Sequence, residues 1–145
     1  MVLYLSGNVR NRAHYVGLFS NSEKYEVKNL LTLKKSHEFQ RTLKKGKWVN
    51  ASLINVYVEK NQTGKNYIGI AVGKKVSKSS VKRNRIKRLI REAYRLNEIN
   101  LEKGFNIVVI WKTSCGIELA NFHDIKRDLM YSFKRIGIQK SEENK

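Results

Sequence analysis

The sequence is poor in the groups from which proteins build reactive centres of their own. Cys115 is the sole cysteine among 145 residues, which excludes a disulfide framework and a cysteine-rich zinc site and fits a reducing cytoplasm. His14, His37 and His123 stand far apart, with no metal-ligand spacing. The twelve carboxylates are scattered and no aspartate precedes Asp124, so the paired-carboxylate metal site of many nucleases has no visible counterpart. Gly69 and Gly73 lack the Lys-Ser or Lys-Thr ending of a phosphate-cradling loop. Apolar runs fall well short of the roughly 20 residues that cross a bilayer. Residues 1–6 are apolar but short, without a basic leader or a cleavage signal, and a cytoplasmic chain is expected. No catalytic residue and no metal ligand is therefore assigned to the polypeptide.

What is abundant is positive charge. Thirty Lys and Arg against twelve Asp and Glu give a net +18, a self-repulsion that a polyanion would relieve. A nucleic acid is the natural partner, and an anionic membrane surface is the competing reading. Hydrophobic residues at 41% and aromatics at 10% suffice for a compact core, and the length allows one domain rather than two.

Residues 1–27 show neither helical nor strand period and read as an N-terminal extension, 28–138 as the domain, and 139–145 as a polar, frayed tail. The spacing of Phe39 and Leu43 predicts a short helix over 36–45, with Ser36 as N-cap and Gly46 as stop. Residues 52–59 and 67–72 alternate and are rich in β-branched side chains, and the polar loop 60–66 with Gly64 predicts that they form a hairpin. A long amphipathic helix follows over 80–97, its apolar stripe made by Ile86, Leu89, Ile90 and Ala93. Residues 105–111 are almost wholly apolar, as a central strand buried on both faces would be, and 122–136 close the domain as a helix through Ile125, Leu129, Met130 and Phe133. This order predicts an α+β sandwich of helices on a small sheet.

Between Lys74 and Arg95 lie ten basic residues and one acidic residue, Glu92, so this window nets +9, half of the charge of the chain. At about 100° per residue, Asn84, Lys87, Arg88, Arg91 and Arg95 gather opposite Ile86 and Ala93, with Arg83 and Arg85 flanking them. A solvated helix face is the ordinary explanation of such a stripe. An ordinary face, however, mixes signs to gain Glu–Lys pairs, whereas this one is nearly all positive. Lys82, Arg83 and Arg85 moreover occupy the first turns, where the helix dipole disfavours each cation by roughly 0.3–1 kcal/mol. A docked backbone phosphate offsets both costs, and the preference for arginine over lysine suits RNA.

Phe39, Leu43 and Tyr57 are read either as core or as the wall of a groove in which a single strand stacks its bases while Lys74 and Lys75 hold its phosphates. Trp48 carries the same two readings. From the residues alone, a ribosomal or ribosome-assembly protein using the same helix remains open, and a self-sufficient nuclease finds little support.

The run from Gly69 to Lys75, Gly-Ile-Ala-Val-Gly-Lys-Lys, followed after a short gap by Lys82 to Glu92, Lys-Arg-Asn-Arg-Ile-Lys-Arg-Leu-Ile-Arg-Glu, resembles the signature of the ribonuclease P protein subunit, with its Arg-Asn-Arg core at Arg83, Asn84 and Arg85. The resemblance extends from near Asn29 to Gly137 and takes in Leu-Lys-Lys-Ser-His-Glu-Phe at 33–39, Gly46, and the strand and helix after Gly104. Residues 1–27 have no counterpart in the family pattern. The resemblance implies a two-layer sandwich of a small mixed sheet of about four strands with three helices, ribosomal protein S5 domain 2-like, with a left-handed strand-helix-strand crossover that the general handedness rule would miss. It implies a bacterial ribonucleoprotein endonuclease that removes the 5′ leader of precursor tRNA, in which the RNA subunit is the catalyst and holds most of the magnesium. Arg83, Asn84, Arg85, Lys87, Arg88 and Arg91 would then face the RNA subunit, and Phe39, Leu43, Tyr57, Lys74 and Lys75 the leader. Many relatives have Phe where this chain has Leu43.

Overall fold

The apolar run at the centre of the domain forms a strand, β4 (Phe105–Trp111), flanked by β2 (Ile54–Lys60) running antiparallel to it and β3 (Tyr67–Ala71) running parallel. A short strand missed in the sequence, β1 (Lys47–Asn50), pairs with β2 and completes a mixed sheet of order β1-β2-β4-β3. Three helices accompany it: α1 (Ser36–Lys45), α2 (Ser80–Glu98) and α3 (Phe122–Ile136), the last preceded by a 3-10 turn at Ile117–Leu119. The structure is a computed structural model that describes residues 30–140; the N-terminal extension and residues 141–145 of the tail lie outside the described residues.

Successive side chains of a strand point to opposite faces, and β4 is apolar on both. Ile107, Val109 and Trp111 join Ile54, Val56, Val58 and Ile68 under α2 and α3, where they meet Ile86, Ile90, Ala93, Ile125, Leu129 and Phe133. Val108 points the other way, into a smaller cluster with Ala71, Leu33 and Phe39 of α1. The sheet is thus covered by α2 and α3 on one face and in part by α1 on the other, a third partial layer beyond the two expected. Each fully buried aliphatic or aromatic side chain contributes about 1.5–3 kcal/mol, so the larger cluster carries most of the stability and the smaller one positions α1.

The expected hairpin does not form. β4 enters between β2 and β3, because a strand apolar on both faces gains ladder partners and cover on both sides only at the centre of a sheet. Loop 60–66 instead steps over one strand, a span of about 10 Å. It is stitched to the entry of β4: Asn61 Nδ2 donates to Asn106 Oδ1 (2.9 Å), Asn66 Nδ2 to the Glu102 carbonyl (2.9 Å), and Asn66 Oδ1 accepts from the Phe105 N–H (2.9 Å). The outer edge of β3 is covered by the segment before α1, where the Leu33 N–H donates to the Ile68 carbonyl (3.0 Å) and the Ile68 N–H to the Leu31 carbonyl (2.9 Å).

Helix ends are set by local chemistry. Ser36 lies inside α1 rather than capping it; the N-cap position is Lys35, with no side-chain cap. Gly46 ends the helix as expected, and the reason is a close approach: a Cβ there would lie 2.5 Å from the Thr42 carbonyl oxygen and 2.9 Å from that of Val58. Ser79 caps α2 by accepting from the Lys82 N–H (3.3 Å). At the other end of the domain Gln139 and Lys140 are held rather than frayed: Gln139 bridges Leu101, and the Lys140 N–H donates to the Asn100 carbonyl (2.7 Å).

One long-range polar bond ties α3 to the sheet. Asp128, 3% exposed, accepts the Leu53 N–H at 2.7 Å across 75 residues, just before β2 begins. Asp128→Ala leaves that buried N–H without a partner and is expected to cost about 1–3 kcal/mol, read as a lower urea midpoint. An unchanged midpoint would show that this bond does not hold α3 on the sheet.

Candidate nucleic-acid interface

The cations of α2 form two rows rather than one open stripe. Arg85 and Arg88 are exposed, Asn84 is half-buried, and Lys82 is exposed at the helix start. Behind them Arg83, Lys87, Arg91 and Arg95 follow at intervals of four along the helix; Arg83 is 7% and Lys87 8% exposed, and Arg91 and Arg95 are half-buried. The expectation that all these groups turn outward is corrected for Arg83 and Lys87. Arg83 Nη1 donates to the Ser77 carbonyl (2.8 Å), fixing the turn that leads into the helix.

Crowding has an electrostatic consequence. Burial, reinforced by the Arg83 charge, pushes the Lys87 amine down to about 8, and burial pushes Arg91 down to about 10. The first turn of α2 contains no acidic residue to offset them. Such a face is poised for an anion, because a phosphate would further stabilise the charged form of Lys87 and complement the dipole of the helix start.

On the opposite face of the sheet, the residues read as a groove come together around α1. Leu43 and Tyr57 pack, partly exposed, against the cluster that contains Phe39. Phe39 itself is 3% exposed, its ring seated over Gly69, where a Cβ would lie 2.8 Å from it. Phe39 is therefore the support of the groove and not an open ring, since the absent side chain of Gly69 lets it sink onto the sheet. Tyr67 and Ile110 also line this face; neither was singled out in the sequence, although strand alternation from Gly69 and Val108 would have placed them there. Burial raises the Tyr57 hydroxyl above its ordinary range. An ion pair, Arg41 Nε to Glu59 Oε1 at 3.1 Å, links α1 to β2.

Trp48 is the residue the sequence left most open, and the structure shows it on the surface. It is 59% exposed on β1 and stacks on its cross-strand partner Tyr57, with ring centroids 6.0 Å apart and planes 20° apart. Lys74 and Lys75 are exposed in a turn closed by the Val76 N–H on the Gly73 carbonyl (3.0 Å). This turn joins the end of β3 to the start of α2, so the two lysines stand on the connection between the two surfaces. Among the described residues no three His, Cys, Asp or Glu side chains come together to hold a metal ion, and no helix is long and apolar enough to cross a membrane.

Comparison with known proteins identifies the family. The family model described as Ribonuclease P matches residues 27–137. The ribonuclease P protein component of Clostridium acetobutylicum is 44% identical over 108 residues, covering 73% of this chain and 88% of that protein. That of Natranaerobius thermophilus is 33% identical over 109 residues, covering 75% and 92%. Among solved structures, the RNase P protein of Staphylococcus aureus superposes with a TM-score of 0.65 at 29% identity, covering 75% of this chain and 97% of that one. The RNase P protein of Thermotoga maritima gives 0.64 at 30% identity, covering 72% and 96%. With the family model spanning residues 27–137 and relatives of this identity matched over most of their length, the chain belongs to the family of the bacterial ribonuclease P protein component.

Proposed function

We propose that this chain, the protein component of a ribonucleoprotein endonuclease of tRNA 5′ maturation, holds two RNAs on two faces of its sheet. The α2 face takes the RNA subunit. Arg85 and Arg88 meet its phosphates from outside, Asn84 adds a hydrogen-bonding edge, and Lys87 and Arg91 supply charge from the inner row, with Arg83 fixing the helix start. The groove between α1 and the sheet takes the single-stranded leader of precursor tRNA, supported by Phe39 and bordered by Leu43 and Tyr57, with Lys74 and Lys75 on its phosphates. The observation that carries this reading is the double row of cations on α2, two of them buried, with no acid in its first turn. The protein's part is binding and orientation, and magnesium is bound mainly by the RNA.

Reconstitution tests this. At limiting magnesium, adding the chain to its cognate RNA subunit should accelerate cleavage of precursor tRNA, and no acceleration would overturn the reading. The double variant Arg85→Ala/Arg88→Ala should stay folded, because both side chains are exposed, and should reduce the salt slope of RNA-subunit affinity by roughly 1.4–1.8 in log-log units. An unchanged slope would remove these two arginines from the contact.

Lys87 gives a pH signature. Its folded value of about 8 lies below the ordinary 10.5, so the unfolded chain binds more protons between those values and free-protein stability should rise with pH across that window. Phosphate binding favours the protonated amine, so RNA binding should take up protons near pH 8 and weaken as the pH rises past it. Calorimetry in buffers of different ionisation enthalpy reads the uptake, and Lys87→Gln should reduce it. Equal uptake in the variant would show that another group is responsible.

A further inference from the structure

Trp48 has no role in the reading above, and its position in the fold does not explain it. A tryptophan packed for stability is largely covered, yet this one sits 59% exposed on an edge strand, in the row of the sheet that runs Trp48, Tyr57, Val108, Gly69. Val49, the next residue of β1, turns to the other face and is buried, so the strand is anchored without the indole. Tyr57 covers one side of the indole, leaving the rest presented beside the groove that α1 makes with the sheet. Around it are groups suited to a strand of RNA. Lys44 and Lys45 are exposed in the last turn of α1, immediately before β1. One cross-strand pair along on the same face, Asn50 stands opposite Asn55, whose Oδ1 has no hydrogen-bond partner among the described residues.

We propose that Trp48, backed by Tyr57, is a nucleobase-stacking subsite that extends the groove outward by one position and takes an unpaired base of single-stranded RNA. Resting on the function proposed above, that base belongs to the leader of precursor tRNA, beyond the nucleotides bordered by Leu43 and Tyr57. An indole is the largest π surface a side chain offers, and a second ring behind it keeps it in place, so stacking requires little ordering on binding. Recognition is of the base plane and tolerates sequence. The subsite thereby makes affinity depend on leader length.

The test uses the full chain and two probes. Titration of the free protein with a short unstructured oligoribonucleotide should quench tryptophan emission through Trp48, since Trp111 is fully buried with its indole N–H on the Cys115 carbonyl (2.9 Å). In the reconstituted ribonucleoprotein, Trp48→Ala should weaken binding of a long-leader precursor by roughly five- to 150-fold, with the loss confined to that substrate when compared with a one-nucleotide leader. Trp48→Phe should restore most of the affinity, and the melting temperature of both variants should match the parent. Absence of quenching overturns the proposal. So does an equal loss with long and short leaders, which would assign Trp48 to the fold or to the RNA-subunit contact, or quenching by an acidic peptide but not by RNA. A chain that is quenched by the oligoribonucleotide yet fails to accelerate cleavage would uphold the stacking subsite and overturn the leader reading on which its occupant depends.

Discussion

Strand β4 carries apolar side chains on both faces, and covering both is the constraint from which the rest of the domain follows. It can be satisfied only at the centre of a sheet, so β4 inserts between β2 and β3 and leaves the sequence neighbours β2 and β3 apart. The parallel pairing with β3 requires a long crossover, and α2 is that crossover. Its apolar stripe closes the larger core from one side while its opposite flank is free to carry charge. Cover for Val108 on the second face is supplied by α1, and Leu43, Tyr57, Tyr67 and Ile110 remain only partly buried beside it. The two surfaces proposed to hold RNA lie on opposite sides of one sheet because one doubly buried strand organises both.

Charge is arranged against the stability of the free chain. Cations at the start of α2 oppose its dipole, and Lys87 is held beside Arg83 in a poorly hydrated position that lowers its amine to about 8. A domain selected for stability alone would put acids there, as α3 does with Asp124 in its first turn and Lys134 and Arg135 in its last. The two helices differ at their starts: α3 has an acid in its first turn, whereas α2 has none there and carries Lys82 and Arg83 instead.

Much of this was legible in the sequence because it rests on local periodicity. The helices at 36–45, 80–97 and 122–136, the buried central strand and the cationic face of α2 all follow from spacing at 3.6 or 2 residues, and the glycine at 46 marked a true end. Strand order was not legible, since the polar loop 60–66 has the composition of a hairpin turn and only the tertiary demand of β4 opens it. β1 escaped notice because it is four residues long with one buried side chain, Val49. Burial of Arg83 and Lys87, and the descent of Phe39 onto Gly69, depend on how α2 and α1 dock and have no signature in residue spacing. The same is true of Trp48, whose stacking partner is fixed by the register of β1 on β2.

Opposite faces of the sheet are proposed to hold different RNAs, and directed hydroxyl-radical cleavage from single tethered sites distinguishes them. Cys115 is the only native thiol, so a Cys115→Ser background allows a probe to be attached through Arg85→Cys or through Leu43→Cys in the assembled ribonucleoprotein. The probe at position 85 should cut the RNA subunit and the probe at position 43 the precursor leader. Cleavage of the same strand from both positions, or of neither, would contradict the proposal.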